Sequence, residues 1–442
     1  MRIRGVSGSI AAAGLAVLLA ACSSGTNGSG GDGAGGATQA ARTGPVTLQF
    51  WCWSAGQKEK VAAFNKAHPD IQVRHTDAGG GTDTAAKLLT ASRAGNAPDA
   101  TCLEYQTLPA MIVAGALADI SAHTGDIKDA FTPEVWSLTS FDGAVYGVPQ
   151  DVGPMVMVYN KKRFDELKIE PPKTWRDFAA VAADVRKKDP DAYLATFAPA
   201  EFGNFAGLAQ QAGSSWWKIE GDTWTVGIAD GPSMQVAAFW QDLIDKDLVK
   251  AQPLLTPEWN NQLNKGNILS WPSALWAPGV LYGIAEKQAG DWAIAPLPQW
   301  TEGDDRVAFQ GGSAIAVTKN SKHVQAAATF AKWMNTDKTA YDLQIAAGEY
   351  PASLAGQQAT TESEPPKLVS GQKDYWQVAA QIAKRTIPHI SWGPNVGTAQ
   401  SAYQDAMAAA VRDKTPLVDA LKKTQQVVVD DMKTTGFKVA GS

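Results

Sequence analysis

From position 46 onward, short apolar runs of strand length alternate with longer stretches of helical periodicity, which restricts the chain to layered α/β architectures. Residues 46–53 read as a buried strand, 58–68 as a helix stopped by Pro69, and 71–75 as a second strand. A helix over 84–94 and a strand over 99–103 follow. This order predicts a mainly parallel sheet whose ligands sit at the strands' carboxyl ends. Trp53, Glu104 and Tyr105 stand just past such ends. A second unit opens at 154–159, and Thr174 with Asp177 forms a capping-box-like start to a helix over 175–188. Helices are further predicted over 202–212, 233–246, 324–335 and 417–432, with a hairpin over 216–228 around Gly221-Asp222 and short strands at 268–271, 292–297 and 313–318. At 442 residues the chain is long enough for two lobes, each with its own core.

The first residues point to the compartment. Arg2 and Arg4 precede an apolar run over 10–21, too short to span a bilayer but suited to a signal peptide. The run ends in Leu19-Ala20-Ala21-Cys22, which resembles the bacterial lipobox. That resemblance implies removal of 1–21 and a diacylglycerol on Cys22; an ordinary signal peptide with an incidental cysteine is the alternative. Residues 23–44 are almost all small or polar, a tether with a root-mean-square reach of roughly 25 Å. Gly31, Gly33 and Gly36 match a dinucleotide fingerprint, but no strand precedes them. No later apolar run reaches transmembrane length, so the head is expected at the outer face of the cytoplasmic membrane, lipid-anchored.

Composition narrows the partners. Net charge is −5, or −7 once Arg2 and Arg4 are lost with the leader, which leaves no electrostatic footprint for nucleic acid. The five histidines show no metal-ligand spacing, and neither a metal nor a cofactor is expected. Cys52 and Cys102 lie at the same level on the first and third strands; if those strands are neighbours the sulfurs can bridge, and two buried thiols are the alternative. Sixteen tryptophans suggest a use for large flat apolar faces.

The order of short motifs then resembles the family-1 extracellular solute-binding proteins of ABC importers, the group that includes maltose-binding protein. The residues that carry the resemblance run from the opening strand at 46–53 through 64–73 (Phe-Asn-Lys-Ala-His-Pro-Asp-Ile-Gln-Val) and Gly95-Asn96-Ala97-Pro98-Asp99. They continue in Tyr146-Gly147-Val148-Pro149 with Val158-Tyr159-Asn160-Lys161, in Pro172-Lys173-Thr174-Trp175, and in Ala295-Pro296-Leu297-Pro298 with Gly311-Gly312. The resemblance implies a two-lobed type II periplasmic-binding-protein fold with a hinge and an interlobe cleft. One lobe would hold 45–151 plus 311–355 and the other 152–310 plus 356–442. It also implies a monomeric carrier that passes its ligand to membrane permease subunits.

A sugar offers apolar C–H faces to aromatic rings and a rim of hydroxyls to polar side chains. On that chemistry and the resemblance, the candidate ligand residues are Trp53, Glu104, Tyr105, Asp151, Phe202, Asn204, Trp271, Trp276, Gly311, Gly312, Tyr350 and Trp392. Core packing is the competing role for Trp53, Trp271 and Trp276, hinge support for Asp151, and a plain bulge for Gly311-Gly312. Trp216 and Trp217 are assigned to hairpin packing, and Trp136, Trp175, Trp240, Trp333 and Trp376 to the core. Leu103 departs from the maltose-binding pattern, which has an aromatic there. The expected cargo is a neutral oligosaccharide. Peptide, polyol, glycerol phosphate or polyamine cargo stays open within the carrier class, as does a purely sensing receptor. A surface glycoside hydrolase is the enzymatic alternative, but no G-x-S-x-G or H-E-x-x-H motif is present in the head.

Overall fold

A computed structural model describes residues 45–387 and 392–440; the leader, Cys22 and the tether lie outside the described residues. The elements that position the cleft are, in chain order, β1 (Val46–Trp51), α1 (Gln57–Ala67), β2 (Ile71–Thr76), α2 (Gly81–Arg93), β3 (Ala100–Glu104), β4 (Gly147–Asp151) and β5 (Met155–Asn160). They are followed by α3 (Trp175–Lys188), α4 (Phe202–Gln211), β6 (Ser270–Ala274), β7 (Trp292–Pro296), β8 (Ser313–Val317), α5 (Val324–Thr336), α6 (Lys338–Ala346), α7 (Val396–Asp413) and α8 (Leu417–Thr434). Local chemistry accounts for their ends. Thr174 and Asp177 close a full capping box at α3, which buries Trp175, Phe178, Ala182 and Val185 along one stripe. The 216–228 segment is an antiparallel hairpin, Trp217–Glu220 against Thr223–Val226.

Two sheets form the two lobes. The first has the order β2-β1-β3-β8-β4, the second β6-β5-β7. The parallel expectation holds for β2-β1-β3. It is corrected elsewhere: β8 runs antiparallel to β3 and β4, and the second sheet is antiparallel throughout. The reason is where the chain enters each lobe. Ser313, the first residue of β8, lies opposite Glu104 and Asp151, the last residues of β3 and β4. A strand that starts where its neighbours end must run against them. β5 likewise starts at the crossing, opposite Ala274 at the end of β6. The carboxyl ends of β1, β3, β4 and β6 therefore face the same boundary between lobes.

After the second crossing back, α5 and α6 pack with α1 in the first lobe, whereas α7 and α8 lie on the helices of the second. Nine of the sixteen tryptophans are buried. Trp216 and Trp217 sit in the second lobe's core with Phe202, Phe205 and Tyr403. The abundance of indoles is thus mainly a property of the core, which corrects the inference from composition.

The register of β1 on β3, Phe50 opposite Ala100 and Trp51 opposite Thr101, brings Cys52 opposite Cys102. They form a disulfide with a Cα separation of 4.9 Å, closing a span of 50 residues. Cross-linking a loop of this length restricts the unfolded chain, and the Cys52→Ala/Cys102→Ala double variant is expected to lose about 2–4 kcal/mol in guanidinium unfolding. A loss below about 1 kcal/mol would show that the bridge adds little to the fold.

Candidate functional site

A cavity of about 520 Å³ opens between the lobes, where the strand ends converge. The loop after β1 contributes Trp53, Ser54 and Ala55, pinned from beneath by the disulfide at Cys52. Gln150 of β4 donates from Nε2 to Ser54 Oγ (2.9 Å) and Ser313 Oγ (3.1 Å), tying that loop to both crossing strands. Ser313 Oγ in turn donates to Asp151 Oδ1. Across the cleft, Trp276 follows β6, and its indole is held by a bond from Nε1 to the Gln310 carbonyl at 2.9 Å. Trp271 packs edge-on behind it at 5.6 Å. Asn204 of α4 donates to the Pro272 carbonyl (2.9 Å) and to Gln310 Oε1 (2.8 Å), so its amide hydrogens fix the wall while its oxygen remains an acceptor.

Gly311 and Gly312 have φ of +70° and +80°, a left-handed conformation that L side chains rarely adopt. A Cβ on Gly312 would meet the Tyr105 ring at 2.8 Å. The pair lets the chain turn sharply at the crossing and brings bare backbone to the cavity wall.

Eight of the twelve candidate residues line this cavity: Trp53, Glu104, Asp151, Phe202, Asn204, Trp276, Gly311 and Gly312. The other four sit behind it. Tyr105 is buried, its hydroxyl donating to the Asp151 carbonyl at 2.9 Å. Trp271 lies inside β6 rather than at its end, because the strand starts two residues later than the sequence indicates. Tyr350 stacks on Trp376 beneath the surface. Trp392 packs against Phe202 and Trp217 and lines a narrow recess that shares Gln106 and Gly311 with the cavity. The chain neighbours Gln106 and Glu349 point into the cavity where Tyr105 and Tyr350 were expected.

Sequence reasoning also missed Asp83, Glu201, Gln310, Gln400 and Gln404. The i, i+4 spacing of the two glutamines on α7 was the one available signal for them. Asp83, Glu104, Asp151, Glu201 and Glu349 supply five carboxyls, and no Lys, Arg or His is among the described residues lining the cavity. Burial pushes Glu104 up to about 7, helped by the charges of Glu201 and Asp151 and opposed by a hydrogen bond from Gln106 Nε2 to Oε2 (2.7 Å). Burial also raises Asp151 and Glu349 and lowers the fully buried Lys60, which lies near both. Lys60 donates to Gln344 Oε1 at 3.4 Å. Among the described residues, no group of three His, Cys, Asp or Glu side chains is arranged to hold a metal ion.

Two lobes, one on a mixed sheet and one on an antiparallel sheet, joined by crossing strands with a polar and aromatic cavity between them, define a ligand-binding protein of the two-lobed type. The chain belongs to the bacterial extracellular solute-binding protein family, whose model matches residues 54–341. It is 28% identical over 301 residues to an arabinooligosaccharide-binding protein of Halalkalibacterium halodurans, a match that spans 65% of this chain and 66% of that one. Among solved structures it resembles the ABC-transporter-associated binding protein of Bifidobacterium animalis subsp. lactis in complex with β-1,6-galactobiose, with a TM-score of 0.83, 27% identity, and coverage of 89% of this chain and 99% of that one. It also resembles the galacto-N-biose/lacto-N-biose I-binding protein of Bifidobacterium longum in complex with lacto-N-biose, with a TM-score of 0.80, 29% identity, and coverage of 90% and 100%.

The raised carboxyl of Glu104 has a consequence for stability. Between the unfolded value of about 4.3 and the folded value of about 7, the folded chain keeps a proton that the unfolded chain releases. Stability from this group is therefore present at low pH and falls as pH rises through that window. Glu104→Gln is expected to raise the melting temperature relative to the parent more at pH 8 than at pH 5, read by differential scanning fluorimetry. Parallel pH profiles would show that Glu104 is not perturbed.

Proposed function

We propose that the protein is a carrier that captures an oligosaccharide between its lobes and delivers it intact to the permease subunits of an ABC importer. The observation that carries this reading is the cavity wall itself: two half-buried indoles, Trp53 and Trp276, stand among carboxyls, amides and exposed backbone, with no basic group among the described residues that line it. Indole faces suit the C–H surface of a pyranose, and the polar rim suits its hydroxyls. Each mismatched hydroxyl leaves a buried partner unpaired, at about 1–3 kcal/mol, so the rim sets selectivity. A phosphate or carboxylate cargo finds no counter-charge among the described residues lining the cavity, which counts against glycerol phosphate.

In this reading the lobes are 45–151 with 311–355 and 152–310 with 356–442, and bound sugar favours their closure because it touches both. The relatives that bind arabinooligosaccharide, β-1,6-galactobiose and lacto-N-biose make neutral oligosaccharides the first cargo to test. Cleaved and lipidated at Cys22, the chain would be anchored at the outer face of the cytoplasmic membrane, and no described helix is long and apolar enough to cross a membrane. More than one acyl chain would make that anchor stable.

A thermal-shift screen of mono- and oligosaccharides tests the cargo, because ligand that binds only the folded form raises the melting temperature with ln(1 + [L]/Kd). For a sugar found this way, Trp276→Ala is expected to weaken binding more than tenfold by calorimetry while circular dichroism stays unchanged. An unaltered Kd would remove the ring from the site. Release of the protein from membranes by Cys22→Ala is the expected outcome for the anchor, and continued membrane association would contradict it.

A further inference from the structure

The charge of the cavity says more about the cargo than the rings do. Glu104 closes β3 on the first lobe, and Glu201 precedes α4 on the second. Both line the same cavity, close enough for their charges to oppose each other. Neither is explained by the fold. Glu201 stands at the N-cap of a ten-residue helix, where a shorter Ser, Thr, Asp or Asn would bond the first turn, yet its side chain makes no capping bond. Among the described residues, no hydrogen bond or ion pair reaches its carboxyl.

Glu104 is held in place by Gln106, and it lies over Gly81 at the start of α2, where a Cβ would come within 2.4 Å of its carboxyl carbon. A bare glycine thus makes room for this acid. In the same cavity, no donor among the described residues meets Glu349 Oε2 with hydrogen-bond geometry, although that residue is only 8% exposed. Lys60 lies near Glu349 and Asp151, whereas among the described residues lining the cavity no Lys, Arg or His stands beside Glu104 and Glu201.

We infer that Glu104 and Glu201 form a subsite, one wall from each lobe, for a protonated amino group on the bound saccharide. This rests on the sugar-carrier reading and narrows its substrate class from neutral glycans to amine-bearing ones. An ammonium has three donors and a full positive charge, and it would satisfy both carboxyls on lobe closure; a neutral hydroxyl offers one donor and leaves their repulsion in place.

The test uses matched pairs that differ only in the amine: galactosamine with galactose, glucosamine with glucose, and the β-1,4-linked glucosamine disaccharide with cellobiose. Their affinities for the full head are measured by calorimetry near neutral pH. In at least one pair the amine is expected to bind ten times tighter or better. That preference should shrink as salt is raised from about 20 mM to about 300 mM, which screens a partly exposed pair. Glu201→Gln should lower the amine-to-hydroxyl affinity ratio. A ratio at or below one in every pair overturns the inference, as does a preference that neither salt nor Glu201→Gln alters. If neutral sugars bind while amines gain nothing, the carrier reading stands and only the charge inference falls. If no saccharide of either kind binds, both fall.

Discussion

The fold depends on how the chain crosses between its lobes. Ser313 begins a strand opposite the last residues of two others, and its hydroxyl bonds Asp151 at the neighbouring crossing. Gly153 lies so close to the Gln310 carbonyl that a Cβ there would clash with it. These contacts fix the direction of β8 and β5, and with it the antiparallel character of everything added to the parallel β2-β1-β3 core. They also gather the strand ends at one boundary, so the crossing that joins the lobes builds the cavity. The disulfide and the Gln150 bonds hold the first lobe's loops to that same boundary.

Much of this was legible in the sequence because it is local. The helix over 175–188 was read to the residue from its capping box and apolar spacing. The hairpin at Gly221-Asp222 followed from turn chemistry. The Cys52–Cys102 pairing followed from equal position on two strands, on the condition that the strands are neighbours, which the pairing of β1 with β3 meets. Strand direction in the remainder was not legible, since it is set by contacts between residues more than a hundred positions apart.

The site was readable to within one residue and often no better. Successive side chains leave the backbone in different directions, alternating along a strand and stepping around the axis in the 3-10 turn at Tyr105–Thr107, so a one-residue shift turns an inward group outward. That is why Glu104 and Gln106 face the cavity while Tyr105 supports Asp151, and why Glu349 does so while Tyr350 packs on Trp376. Tryptophan count misled for a related reason: an indole stabilises a core as readily as it meets a sugar, and only position on a strand end separates the two roles. Lys60 gave no signal at all. A lysine in an amphipathic helix reads as solvent-facing until the acids of a distant crossing are brought beside it.

What the two-lobed arrangement adds over a static pocket is that both halves touch the cargo. Small-angle X-ray scattering of the head with and without a saturating saccharide tests that claim most directly. A smaller radius of gyration in the bound protein, with the saccharide recovered unaltered, is the result predicted. Full occupancy at an unchanged radius, or recovery of cleaved sugar, would contradict it.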